Sequence, residues 1–209
     1  MDTETEQSCH ELLLRLAGRL DDHLLWRYRD WLGEGALSTL ARTLPKSLLK
    51  YRIDLDETEY GLLMTGLVPH GADRNQVSST LGVDDLAPAR YTFTSSASER
   101  VNSVDAVSAI VHATLRGRPD VGEVRESWRH GGAGEQREPR RVLLVTAVSG
   151  AARLAGELQR VLRVLGDEEP SVEVLPVGAE LPEYHRAALA QSQLVCVGAV
   201  DAGSGLVPA

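Results

Sequence analysis

The segment Arg141 to Val148, RVLLVTAV, constrains the fold of this chain more than any other stretch. A nearly continuous apolar run rich in β-branched residues suits a strand covered on both faces, and such strands belong to parallel sheets flanked by helices. After a Ser149-Gly150 turn, Leu154, Leu158, Val161, Leu162 and Leu165 recur along one helical stripe that stops at Gly166. Ser171 to Val177 (SVEVLPV) reads as a second strand, Leu181 to Gln191 as a second helix, and Gln193 to Val200 (QLVCVGAV) as a third strand. The pattern βαβαβ predicts a C-terminal α/β lobe, a Rossmann-like half of three parallel strands with right-handed crossovers. A lobe of about 70 residues buries only about 60% of its unfolded surface, so it is expected to lean on another part of the chain or on a second copy.

The residues before it read as a mostly α-helical N-terminal lobe. Leu12, Leu13, Leu16 and Leu20 have helical spacing, and Asp21-Asp22 can cap a helix running through Trp26, Tyr28 and Trp31 to Gly33 or Gly35. Ala36 to Leu44 predicts a third helix, with Pro45 opening a separate one over Lys46 to Arg52. Asp56-Glu-Thr-Glu59 places carboxylates at the positive end of a helix carrying Leu62, Leu63 and Met64. Helices are also expected over Asp73 to Leu81, Ser103 to Leu115 and Pro119 to Trp128, with Tyr91 to Thr94 as a short strand or extended loop. Arg129 to Arg140 (RHGGAGEQREPR) is poor in apolar residues and reads as a flexible linker. The expected organisation is a helical domain over 8–128, a linker over 129–140 and a small Rossmann-like α/β domain over 141–209.

In open α/β sheets, ligands sit at the carboxyl ends of the strands, where helix N-termini present free N–H groups. That rule selects Thr146, Ser149, Gly150 and Ala151 after the first strand, Gly178 after the second and Asp201 after the third as candidate ligand-binding residues, with an anion resting on the Ser149, Gly150 and Ala151 amides. A second candidate site is the helix Leu24 to Leu32, LLWRYRDWL, whose Trp26, Arg27, Arg29 and Trp31 are residue types enriched in protein-binding hot spots.

Other chemistries find no anchor. The first βα turn, AVSGAA, lacks the GxGxxG dinucleotide fingerprint, and no GxxxxGK[ST] phosphate loop or GxSxG nucleophile elbow occurs. The histidines at 10, 23, 70, 112, 130 and 185 are scattered without ligand spacing, so neither a metal site nor a catalytic set nor a bound cofactor is predicted. His185, flanked by Glu183 and Arg186, reads as part of a solvated helix face, and Cys196 as a small buried hydrophobe. Gln76 to Val83 has the outline of the first helix and turn of a helix-turn-helix, and Arg116-Gly-Arg-Pro119 that of an AT-hook. Asp84-Asp85 and Pro88 spoil the first, and Asp120 and Glu123 the second. Acidic residues outnumber basic ones by 19 to 14 before Glu126 and by eight to five after Arg140, so no basic lobe is hidden behind the net charge of −8, and nucleic acid is disfavoured.

With no long apolar span and an acidic rather than signal-like N-terminus, a cytoplasmic protein without a membrane segment is expected. The leading expectation is a non-enzymatic regulatory or adaptor protein acting through contacts with another protein or with itself, as a homodimer. The alternative is a binder of a small anionic ligand, or an enzyme, using the strand-end loops.

Overall fold

The computed structural model describes residues 2–82, 91–95, 106–131 and 138–199. Four helices come first: α1 (Thr3–Arg15), α2 (Asp22–Gly33), α3 (Leu37–Tyr51) and α4 (Glu57–Leu67). A 3-10 turn over Val68–His70, the short helix α5 (Arg74–Ser78), strand β1 (Thr92–Thr94) and helix α6 (Ala106–Leu115) follow. The remainder is β2 (Val121–His130), β3 (Arg140–Ala147), α7 (Ala151–Val164), β4 (Ser171–Pro176), α8 (Glu183–Ala190) and β5 (Gln193–Val197).

Local chemistry explains several boundaries. Asp56 caps α4 through a reciprocal box in which its carboxylate accepts the Glu59 N–H at 2.7 Å and the Glu59 carboxylate accepts the Asp56 N–H at 3.2 Å. Asp73 accepts the Asn75 and Gln76 amides at the start of α5. Asp21 stands at the N-cap of α2, but its side chain makes no capping bond. The two helices expected on either side of Pro45 are one, because α3 continues through the proline to Tyr51. Its apolar stripe Leu40, Leu44 and Leu48 is fully buried, so packing holds the helix together across the missing N–H.

The sheet is mixed, which corrects the expectation of three adjacent parallel strands. β3 and β4 are parallel, but β2 runs antiparallel to both β3 and β5. The order is β4-β3-β2, with β1 and β5 end to end on the far edge of β2: β1 meets Trp128 to His130, and β5 meets Glu123 to Glu126. The strands β3, β4 and β5 therefore do run in one direction, and β2 is inserted between β3 and β5. Pro119 to Trp128, read as a helix, supplies most of that inserted strand. Gly122 marks why: a Cβ there would lie 2.6 Å from Thr146 Oγ1, and the β2–β3 register slips between Val121 and Val124, as at a bulge.

The 129–140 segment is also revised. Arg129 and His130 end β2, Arg140 begins β3, and Arg129 faces Arg140 across the ladder, so both ends of the expected linker are hairpin strand. Residues 132–137 lie outside the described residues. Arg129 is fixed from the helical side, its guanidinium paired with the Asp22 carboxylate, donating to Tyr184 Oη at 3.1 Å and lying 4.8 Å from the Tyr91 ring centre.

Alternate residues of β3 feed two cores. Leu143 and Val145, with Val172 and Val174 of β4, pack against Leu154, Leu158 and Leu162 of α7 and Val111 and Leu115 of α6. Val142 and Leu144, with Leu175 of β4, join Leu12, Leu13 and Leu16 of α1, the α3 stripe and Tyr184 of α8. The helical part and one face of the sheet thus share a single core. α2 also packs along α7 at a glycine seam. A Cβ on Gly33 would lie 2.9 Å from the Ala152 carbonyl oxygen and 3.4 Å from Gly156 Cα, both backbone atoms that cannot swing aside. We expect Gly33→Val to destabilise by about 1–3 kcal/mol through overpacking, measured as a lower urea midpoint. A midpoint equal to wild type would contradict the seam.

Candidate functional site

The parallel pair ends at Ala147 and Pro176, where the Val177 N–H donates to the Ala147 carbonyl at 3.1 Å. The chain leaves β3 through Val148 and Ser149, turns at Gly150 in the left-handed region (φ +62°), and enters α7. No side chain caps that helix. Its first amides lack intrahelical acceptors and carry the positive end of the dipole of a 14-residue helix.

A pocket of about 660 Å³ opens at this point, within the size range of small-molecule sites. One wall is the turn from Ala147 to Arg153, a second is the β4–α8 connection with Pro176, Ala179 and Glu180, and the third is a stripe of α1 containing Glu6, Gln7, His10 and Leu14. Of the predicted ligand residues, Ser149, Gly150 and Ala151 line it together. Thr146 does not belong to the lining: its hydroxyl accepts the Glu123 N–H at 2.7 Å and ties β3 to β2. Gly178 forms a left-handed turn (φ +79°) beside the pocket, with Ala179 and Glu180 rather than Gly178 on its surface. Asp201 lies outside the described residues.

The aromatic helix α2 has other business. Arg29, expected on a partner surface, is 2% exposed. It forms a two-pronged ion pair with Glu173 of β4, Nη1 to Oε1 at 2.8 Å and Nη2 to Oε2 at 2.5 Å. Nη1 also donates to the Val172 carbonyl at 2.9 Å. Trp26 sits in the α2–α7 seam, with the Arg163 guanidinium 4.4 Å from its ring centre and its carbonyl accepting from Gln159 Nε2 at 2.8 Å. Trp31 is half-buried and packs on Tyr28 at 5.6 Å. Arg27 alone of the four is exposed.

His185 is another correction, since the expected surface histidine is fully buried and its Nε2 lies 2.8 Å from Glu173 Oε2. Burial alone would raise the Glu173 carboxyl, but Arg29 and His185 outweigh it and hold the group down to about 2. A carboxylate that stays charged inside the core needs such partners. Sequence reasoning missed this cluster, although Glu173 in the middle of SVEVLPV was its visible trace: a charge at an inward strand position demands a buried cation. His10 was missed too. It is 3% exposed, its Nε2 meets the Val174 carbonyl at 2.7 Å, and burial pushes its pKa down to about 4 despite that bond. Arg29 and His10 therefore take carbonyls of residues two apart on the outer edge of β4, fastening α2 and α1 to the sheet and setting the α1 wall of the pocket.

The remaining candidates carry structure. Arg118 of the AT-hook-like segment is engaged by Asp120 and Glu157. Residues 83–90, which hold most of the second half of the helix-turn-helix outline, are outside the described residues. Cys196 is buried and its thiol is raised by burial, and burial pushes Cys9 up to about 12, so neither is an activated nucleophile. Among the described residues no group of three or more His, Cys, Asp or Glu side chains is placed to hold a metal ion, and no helix is long and apolar enough to cross a membrane.

Comparison with protein-family models, curated proteins and solved structures finds no match. Function has to be argued from the pocket itself.

Proposed function

We propose that this chain binds a small anionic ligand at the carboxyl ends of β3 and β4, with the anion seated on the first amides of α7. The observation that carries this reading is the coincidence of a pocket of about 660 Å³ with the uncapped N-terminus of a 14-residue helix, at the edge where α/β sheets bind ligands. Leu14, Leu181 and Pro182 supply apolar lining for the body of the ligand. The alternative reading, an adaptor acting through α2, loses Arg29 to the core and Trp26 and Trp31 to internal packing.

Thermal unfolding against a panel of inorganic phosphate, sulfate, nucleotides and sugar phosphates tests the proposal. A ligand at 100 times its Kd stabilises by about 2.7 kcal/mol, a rise in Tm of roughly 5–10 °C for a chain of this size. Ser149→Asp is expected to abolish the shift by placing a carboxylate where the anion sits. Because a negative charge beside a helix N-terminus is stabilising by about 0.3–1 kcal/mol, the variant keeps its own Tm and the loss reads as lost binding. A panel with no shift, or a shift that survives Ser149→Asp, defeats the reading.

A further inference from the structure

The polar groups of the pocket are sorted by kind, and the sorting describes the missing partner. On the α7 side are donors: the free amides at the helix start and the exposed Arg153. On the α1 side are acceptors. The Glu11 carboxylate is already taken by Arg15 through two bonds of 3.0 and 2.9 Å, but Glu6 has no ion pair among the described residues, nor has Glu180 on the adjoining wall. His10 is the buried member of this set. Its Nε2 faces a backbone carbonyl, which can only accept, so the ring proton is on Nε2 and Nδ1 presents a lone pair. That Nδ1 is buried and has no hydrogen-bond partner. An unmet buried acceptor costs about 1–3 kcal/mol, and nothing on α1 or β4 relieves it.

We infer, resting on the anion-binding reading above, that the ligand carries at least one O–H or N–H donor besides its anionic group, and that His10 Nδ1, with Glu6 and Glu180 around it, accepts from that donor. The ligand class is then a hydroxylated or aminated small anion rather than a plain one. With its pKa depressed to about 4, the His10 ring remains neutral and able to accept throughout the neutral pH range.

Matched probes separate the two parts of the argument. Calorimetric titration of the full chain compares glycerol 3-phosphate with n-propyl phosphate, which lacks only the hydroxyls, and phosphoethanolamine with ethyl phosphate, which lacks only the ammonium. One donor-bearing probe is expected to bind about tenfold tighter than its donor-free twin, the first pair identifying a hydroxyl and the second an ammonium. His10→Phe is expected to close that gap while leaving the affinity of the donor-free twin unchanged. Equal binding of both twins in both pairs overturns this inference and leaves the anion site standing. A gap that persists in His10→Phe overturns the assignment to His10. If none of the four probes nor inorganic phosphate binds, the inference falls together with the reading on which it rests. The comparison within wild type needs no variant, so it decides the donor requirement even if His10→Phe folds poorly.

Discussion

Glu173→Ala is expected to destabilise the protein by about 3–5 kcal/mol, the range found when one partner of a buried ion pair is removed. The side chain is fully buried and accepts from both Arg29 and His185, so its removal strands the Arg29 guanidinium in the core with only the Val172 and Leu13 carbonyls for company. Urea unfolding followed by circular dichroism and by fluorescence of Trp26, Trp31 and Trp128 measures the loss. The double change Arg29→Met with Glu173→Leu is expected to recover much of it, because two well-packed apolar side chains replace a pair whose attraction is largely consumed by desolvation. A single-variant loss below about 1 kcal/mol would show that the pair does not hold α2 to the sheet. The consequence for function is spatial: Val172 and Val174 offer their carbonyls to Arg29 and His10 on either side of Glu173, so loosening the pair also loosens the α1 wall of the pocket.

The strongly periodic elements were legible in the sequence. RVLLVTAV and SVEVLPV are β3 and β4, the Leu154-Leu158-Leu162 stripe is α7, and the prediction that β3 is covered on both faces follows from a run with no polar break between Val142 and Val145. The pocket was legible for the same reason, since a parallel pair joined by a helix fixes where the helix N-terminus and the strand ends meet. What the sequence hid depends on pairing at long range. β2 carries Glu123, Arg125, Glu126 and Arg129 among its valines, and that mixture suits a helix face as well as a strand; it becomes strand because β3 and β5 offer backbone edges on both sides. Gly122 and the β-branched Val121 and Val124 were the local hints against a helix. Arg29 looked like surface because its partner is 144 residues away, and His10 looked like part of a loose end because the β4 edge it satisfies lies 164 residues further on.

Those same buried groups should make the protein acid-sensitive in two steps. His10 has a folded pKa of about 4, below its ordinary 6.5. Between those values the unfolded chain binds a proton that the folded one refuses, so stability is fully present above about pH 6.5 and falls as the pH drops towards 4, by about 3 kcal/mol over the window. Glu173 has a folded pKa of about 2 against an ordinary 4.5, so its contribution is held above about pH 4.5 and is lost as the pH falls to 2. The groups facing His10 are Arg29, Glu173 and His185, and burial outweighs all three in setting its pKa. Chemical denaturation at intervals from pH 7.5 to 3 should therefore show a decline that begins well above the carboxylate range. In His10→Phe the upper part of that decline is expected to disappear, leaving a curve flat from pH 7 to about 5 with the lower, carboxylate-driven loss intact. A wild-type protein as stable at pH 4.5 as at pH 7 would mean that His10 is protonated without resistance in the folded state, and the neutral, lone-pair-bearing ring required for ligand recognition would go with it.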